Sequence, residues 1–113
     1  TDASAAQIAA AEPHPRVEYR VAPAESSGLS DDSCDLVTAA QALHWFDVDR
    51  FLAEAARALR PGGVLAVWCY GLLATGDPAL DSALATFAHD TVGPWWPPER
   101  ALVDAGYAGI ALP

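Results

Sequence analysis

The chain has 113 residues, 52% of them hydrophobic, with 15 acidic against 6 basic side chains and a formal net charge of -9. That length and apolar content suit one domain with a core of its own. The acidic balance argues against nucleic acid or an anionic membrane surface as the main partner, because each calls for a positive face.

Asp2-Ala-Ser4 followed by Ala5 to Glu12 predicts a first helix. Ser4 suits its N-cap and the alanines favour helix, while Pro13 and Pro15 end it. Val17 to Val21 alternates apolar and polar residues and reads as a strand. Pro23 to Asp32 is a loop rich in Ser, Gly and Asp. Asp35 to Ala40, an apolar run bounded by turn signals, predicts a buried parallel strand. Asp47 caps the next helix, with Phe46 and Phe51 as a hydrophobic staple. Val48, Phe51, Leu52, Ala55, Ala56 and Leu59 give that helix one apolar face. Pro61-Gly62-Gly63 stops it and leads into Val64 to Trp68, a second buried strand. Asp77-Pro78 opens another helix, striped by Leu80, Leu84 and Phe87. A short helix from Pro98 to Ala105 ends at Gly106, and Tyr107 to Leu112 begins one more strand.

This alternation predicts an α/β fold, with a doubly wound, mostly parallel sheet and helices on both faces. Ligands in such sheets bind outside the carboxyl ends of the strands. That rule directs attention to Asp2, residues 22–26, residues 41–46, and Tyr70 with Gly71. Cys34 and Cys69 have no metal-ligand spacing, so no metal is expected. They are too few for a disulfide framework. They read as free thiols of a cytoplasmic protein. No signal peptide opens the sequence, and the longest apolar run, Gly63 to Leu73, is short of the ~20 residues of a membrane helix.

The segments Leu29-Ser-Asp-Asp-Ser-Cys-Asp35-Leu-Val-Thr, Ala40-Gln-Ala-Leu-His-Trp-Phe46 and Leu59-Arg-Pro-Gly-Gly-Val-Leu65, taken at these spacings, resemble the small-molecule branch of the class I S-adenosylmethionine-dependent methyltransferases. Gly93-Pro-Trp-Trp-Pro97 and Asp104-Ala-Gly-Tyr107 extend the resemblance over nearly the whole chain. It implies a Rossmann-like sheet, S-adenosylmethionine as cofactor, and a small-molecule methyl acceptor.

The resemblance also implies roles for particular residues. Asp2 stands where the family binds the cofactor's ribose hydroxyls, a task for which a carboxylate can accept two hydrogen bonds. On the residues alone, Asp2 also reads as part of the helix start at Ser4. Ala24 and Glu25 fall in the loop that borders the adenine, and Gln41 with Ala42 in the loop that lines the cofactor. His44 has a side chain suited to general-base catalysis. It also reads as a loop-orienting hydrogen-bonder. Trp45 beside it suits a pocket wall or attraction of the sulfonium cation through its ring face, and also reads as a core residue. Tyr70, Trp95 and Trp96 fall where the family builds its acceptor pocket, and equally suit packing beneath a loop.

No Gly-x-Gly motif occurs in the sequence. The resemblance implies that the first strand, its glycine-rich loop and most of the second strand lie upstream of Thr1, with the last strands beyond Pro113. An incomplete sheet of that kind would expose strand edges and favour self-association. The competing reading is a non-catalytic fragment or binding module of the same fold; a nucleotide-dependent oxidoreductase is a weaker third, because such sheets host several cofactors.

Overall fold

Local chemistry sets each element of the computed structural model, which describes residues 1–112. The chain divides into two units. Among the described residues, the first comprises Thr1–Ala39 and Phe46–Ala66 with Ala111 and Leu112; the second comprises Ala40–Trp45 and Val67–Ile110.

In the first unit, α1 (Ala5–Ala10) starts where Ser4 Oγ accepts from the Gln7 amide at 3.3 Å. It ends with extended backbone at Ala11, just ahead of the prolines. α2 (Val48–Ala58) starts at Asp47, whose carboxylate accepts from the Arg50 amide at 3.2 Å. The staple forms, with the Phe46 and Phe51 rings 5.0 Å apart. Phe51, Ala55 and Ala58 are the buried residues of α2.

The sheet pairs β1 (Cys34–Ala40) with β2 (Leu59–Trp68). Its backbone bonds run from Ser33 N to Ala58 O and from Gln41 N to Trp68 O, so both strands advance together and the pair is parallel. Ten steps along the β2 side match eight along β1. β2 includes the Arg60-Pro-Gly-Gly63 turn, where Gly62 has φ +82°. A Cβ on Gly63 would lie 2.9 Å from the Arg60 carbonyl and 3.1 Å from the Cys34 carbonyl, so the close approach requires glycine there.

The structure corrects several expectations. Val17 to Val21 is not a strand: Val21 alone makes a parallel bridge, to Asp2, through bonds from Asp2 N to Arg20 O and from Ala22 N to Asp2 O. Alternation without a partner ladder cannot hold extended backbone, and no further partner exists among the described residues. β1 is not buried on both faces, since Leu36 is half exposed, as are Val64 and Trp68 of β2. α2 stops at Ala58, and Leu59 already has extended backbone and opens β2.

In the second unit, α3 (Pro78–Thr86) is capped by Asp77, which accepts from the amides of Ala79 and Leu80. It runs into a wider π-type turn at Phe87–Thr91. Its apolar stripe is not a core face, for α3 has no buried residue and Leu80 and Phe87 are exposed. A 3-10 turn at Gly93–Trp95 leads to α4 (Arg100–Asp104), shorter than expected because Pro98 and Glu99 remain in the preceding turn. Tyr107 to Leu112 forms turns and irregular backbone instead of a strand. Gly106 and Tyr107 both have positive φ, which interrupts extension at that point.

Cys34 and Cys69 are free thiols. No cluster of His, Cys, Asp or Glu among the described residues is placed to hold a metal ion, and no described helix is long and apolar enough to cross a membrane.

Candidate functional site

The second unit contains a cleft of about 320 Å³, at the lower end of the usual ligand-pocket range of ~300–1,000 Å³. Gln41, His44, Trp45, Trp96, Arg100 and Val103 line it, with Pro97.

β1 delivers the first of these residues. Gln41 follows its last residue and has φ +50°, a region uncommon for a side chain of this size. Its backbone N donates to Trp68 O at 2.8 Å. Its side-chain Oε1 accepts from Tyr70 N at 2.8 Å, and Nε2 donates to Tyr70 O at 3.3 Å. The amide thus extends the pairing beyond the ends of the strands. This contact brings Tyr70 beside Gln41, although Tyr70 as a residue is 71% exposed.

The turn Leu43–Trp45 carries the next two. Leu43 is fully buried and anchors the turn. His44 beside it is 7% exposed. Its Nδ1 lies 3.0 Å from the Tyr107 hydroxyl, and the other ring nitrogen makes no hydrogen bond among the described residues. Burial first, then the positive charge of Arg100, lowers the His44 pKa, with Glu99 opposing. The neutral imidazole is therefore the resting form at neutral pH. Tyr107 is itself buried, which raises its pKa and keeps the phenol protonated. It adopts φ +59°, so backbone strain coincides with the His44 contact. The Trp45 ring lies 4.7 Å from the His44 ring, and 60% of the residue faces solvent.

α4 and the turn before it supply the opposite wall. Trp96 is held by donation from Nε1 to Ala88 O at 3.1 Å. The Arg100 guanidinium carbon sits 4.7 Å from the Trp96 ring centroid, a cation–π distance. Arg100 Nε donates to Asp104 Oδ1 at 2.8 Å. Among the described residues its two terminal amino groups have no hydrogen-bond partner. The cleft therefore offers a bound molecule two indole rings, an imidazole and a guanidinium.

Sequence reasoning did not find Tyr107 and Arg100 as site residues. Tyr107 carried a signal in the Asp104-Ala-Gly-Tyr107 phrase, but its hydroxyl meets a residue 63 positions earlier, a contact no local pattern announces. Arg100 had no local signal. Trp95, in contrast, is 83% exposed and does not line the cleft, while Ala42 only accepts the Trp45 amide through its carbonyl.

Asp2, Ala24 and Glu25 belong to the first unit. Asp2 Oδ1 accepts from the Ser4 amide at 2.7 Å, and Oδ2 has no partner among the described residues. Glu25 Oε1 accepts from the Asp47 amide at 2.8 Å, tying its loop to the start of α2. Of the polar side chains expected at a cofactor, Asp2 retains an unengaged oxygen suited to a diol, whereas Gln41 pairs with a neighbouring peptide.

A parallel β-α-β unit with a cleft lined from the carboxyl end of its first strand is the arrangement of a ligand-binding α/β domain. A family model described as a methyltransferase domain matches residues 1–67. A methyltransferase of Dictyostelium discoideum is 39% identical over 109 residues, covering 95% of this chain and 41% of that protein. An uncharacterized methyltransferase of Mycobacterium tuberculosis H37Rv is 54% identical over 46 residues, or 40% of this chain and 19% of that one. A solved structure described as a type II methyltransferase from Anaeromyxobacter dehalogenans matches with TM-score 0.85 and 48% identity, over 99% of this chain and 47% of its own. The chain belongs to the class I S-adenosylmethionine-dependent methyltransferase family. It spans less than half the length of each of these relatives.

Proposed function

We propose that the protein transfers a methyl group from S-adenosylmethionine to a small-molecule acceptor seated in the His44 cleft. The observation that carries the reading is His44 itself, a buried neutral imidazole fixed by Tyr107 at the wall of an aromatic cleft. Family membership supports the cofactor, whose sulfonium supplies an electrophilic methyl group and a good leaving group. The unengaged Asp2 oxygen fits a ribose hydroxyl. Ala24 and the backbone around Glu25 are proposed to border the adenine, and Gln41 and Ala42 to contribute backbone at the cofactor.

Within the cleft, Trp45 and Trp96 are proposed to hold the acceptor between ring faces, with Tyr70 and Trp95 as outer contacts. His44 is proposed as general base. It removes a proton in the tautomer that carries hydrogen on Nδ1, donated to the Tyr107 hydroxyl, because Nε2 then keeps its lone pair. Tyr107 is a positioning residue in that arrangement. A hydroxyl or acid acceptor suits such a base.

Methylation assays on the full-length protein test this. His44→Gln is expected to lower kcat about 100-fold while cofactor binding stays unchanged. Tyr107→Phe should alter the pH–rate profile on the limb that reports His44. An unchanged rate in His44→Gln would remove the base role. Failure of the full-length protein to bind S-adenosylmethionine would overturn methyl transfer and leave the binding-module reading.

A further inference from the structure

We propose that the acceptor is a carboxylate-bearing small molecule with an aromatic or other flat apolar body, and that Arg100 is the residue that selects it. This deepens the reading above, since it takes the His44 cleft to be the acceptor site.

Three observations point at Arg100. It is the one formally charged side chain lining the cleft among the described residues, in a chain of net charge -9. The other lining side chains are neutral or aromatic, so no lining carboxylate competes for it; its ion pair is with Asp104, through Nε.

The guanidinium is fixed before any ligand arrives. Its face stacks on Trp96 and its Nε is held by Asp104. An exposed arginine loses much rotamer freedom when it grips an anion; this one is already ordered, with its side chain 23% exposed. Among the described residues both terminal amino groups are without a protein partner. They form the end of the planar fork that matches a carboxylate bidentately, a geometry that lysine cannot supply.

Trp96 has a second part here. Stacking against the guanidinium makes the arginine and the indole one surface, so a ligand that reaches the fork also meets an aromatic wall. Trp45 lies on the same cleft beside His44. The volume of about 320 Å³ suits an acid of modest size. Asp104 lies one helical turn along α4 from Arg100, and its contact is to Nε, away from the terminal fork. It orients the guanidinium without closing it.

The test is calorimetric binding of matched acid and amide probes to the full-length protein, with no methyl transfer required. Benzoate and phenylacetate are compared with benzamide and phenylacetamide. Wild type is expected to bind each acid at least about 10-fold tighter than its amide, the scale of a charged hydrogen-bonded pair. Arg100→Met should erase that preference, so that each acid binds no tighter than its amide. Arg100→Lys, which keeps the charge and loses the fork, should retain part of it. Equal binding of acid and amide by wild type would overturn the proposal, as would a preference that survives in Arg100→Met. Acid-selective binding by a protein that does not bind S-adenosylmethionine would leave Arg100's role standing and refute methyl transfer. Methylation with no acid preference would do the reverse.

Discussion

Glu54→Gln is expected to loosen the first unit by about 1–2 kcal/mol at neutral pH, and the figure follows from one carboxylate. Glu54 Oε1 accepts from Ser27 N at 2.8 Å, Ser27 Oγ at 2.6 Å and Arg57 Nη2 at 2.7 Å; Oε2 accepts from Arg57 Nε at 2.9 Å. These bonds tie α2 to the loop that carries Ala24 and Glu25. The Glu54 side chain is 13% exposed. Hydrogen bonding from Arg57, then from Ser27, holds its pKa at about 2 against an ordinary 4.5. At about 1.4 kcal/mol per unit, that difference sets a ceiling of about 3 kcal/mol. Arg57 remains 35% exposed, so solvent screening brings the contribution down to the expected range.

The sign is fixed by the direction of the shift. A lowered carboxylate pKa stabilises the folded state fully above about 4.5, and the gain is lost as pH falls towards 2. Urea denaturation should therefore show the full gap between wild type and Glu54→Gln at pH 7. At about pH 3 the gap should fall to about half or less. A gap of equal size at both pH values, or none at pH 7, would refute the reasoning.

Gly63→Ala should destabilise the protein by about 1–3 kcal/mol, because two of the three atoms its Cβ would meet are backbone carbonyls that cannot swing aside. A thermal melt checks this, and an unchanged Tm would mean the approach is looser than described. His44 should titrate below about 6.5 in an imidazole NMR titration, since burial and Arg100 both disfavour its charged form. The folded state then binds fewer protons than the unfolded one, so stability falls as pH drops through about 6.5. A His44 pKa at or above that value would contradict the burial on which its proposed base role rests.

The sequence alone determined what rests on short-range chemistry. Ser4, Asp47 and Asp77 each start a helix because a side-chain oxygen two or three residues ahead of a free amide can satisfy it, whatever the rest of the fold does. The Phe46–Phe51 staple and the glycines of the Arg60-Pro-Gly-Gly63 turn are of the same kind. The motif phrases around Gln41 to Phe46 pointed to the segment that lines the cleft.

Tertiary structure decided the rest. Val17 to Val21 had the alternation of a strand, yet a ladder needs a neighbour, and among the described residues a single bridge, from Val21 to Asp2, is all that forms. The Leu80, Leu84 and Phe87 stripe had a core's periodicity, but burial depends on what covers it. The sequence points to Gln41 in the segment beside the cleft, but that its amide pairs with the Tyr70 peptide depends on the fold. Tyr107 and Arg100 entered the site only through contacts with residues distant in the chain or through a wall shared with them. Local pattern fixes how a segment can fold and which chemistry it carries; which groups face one another depends on long-range packing, and that is where His44 acquired its partner and the cleft its charge.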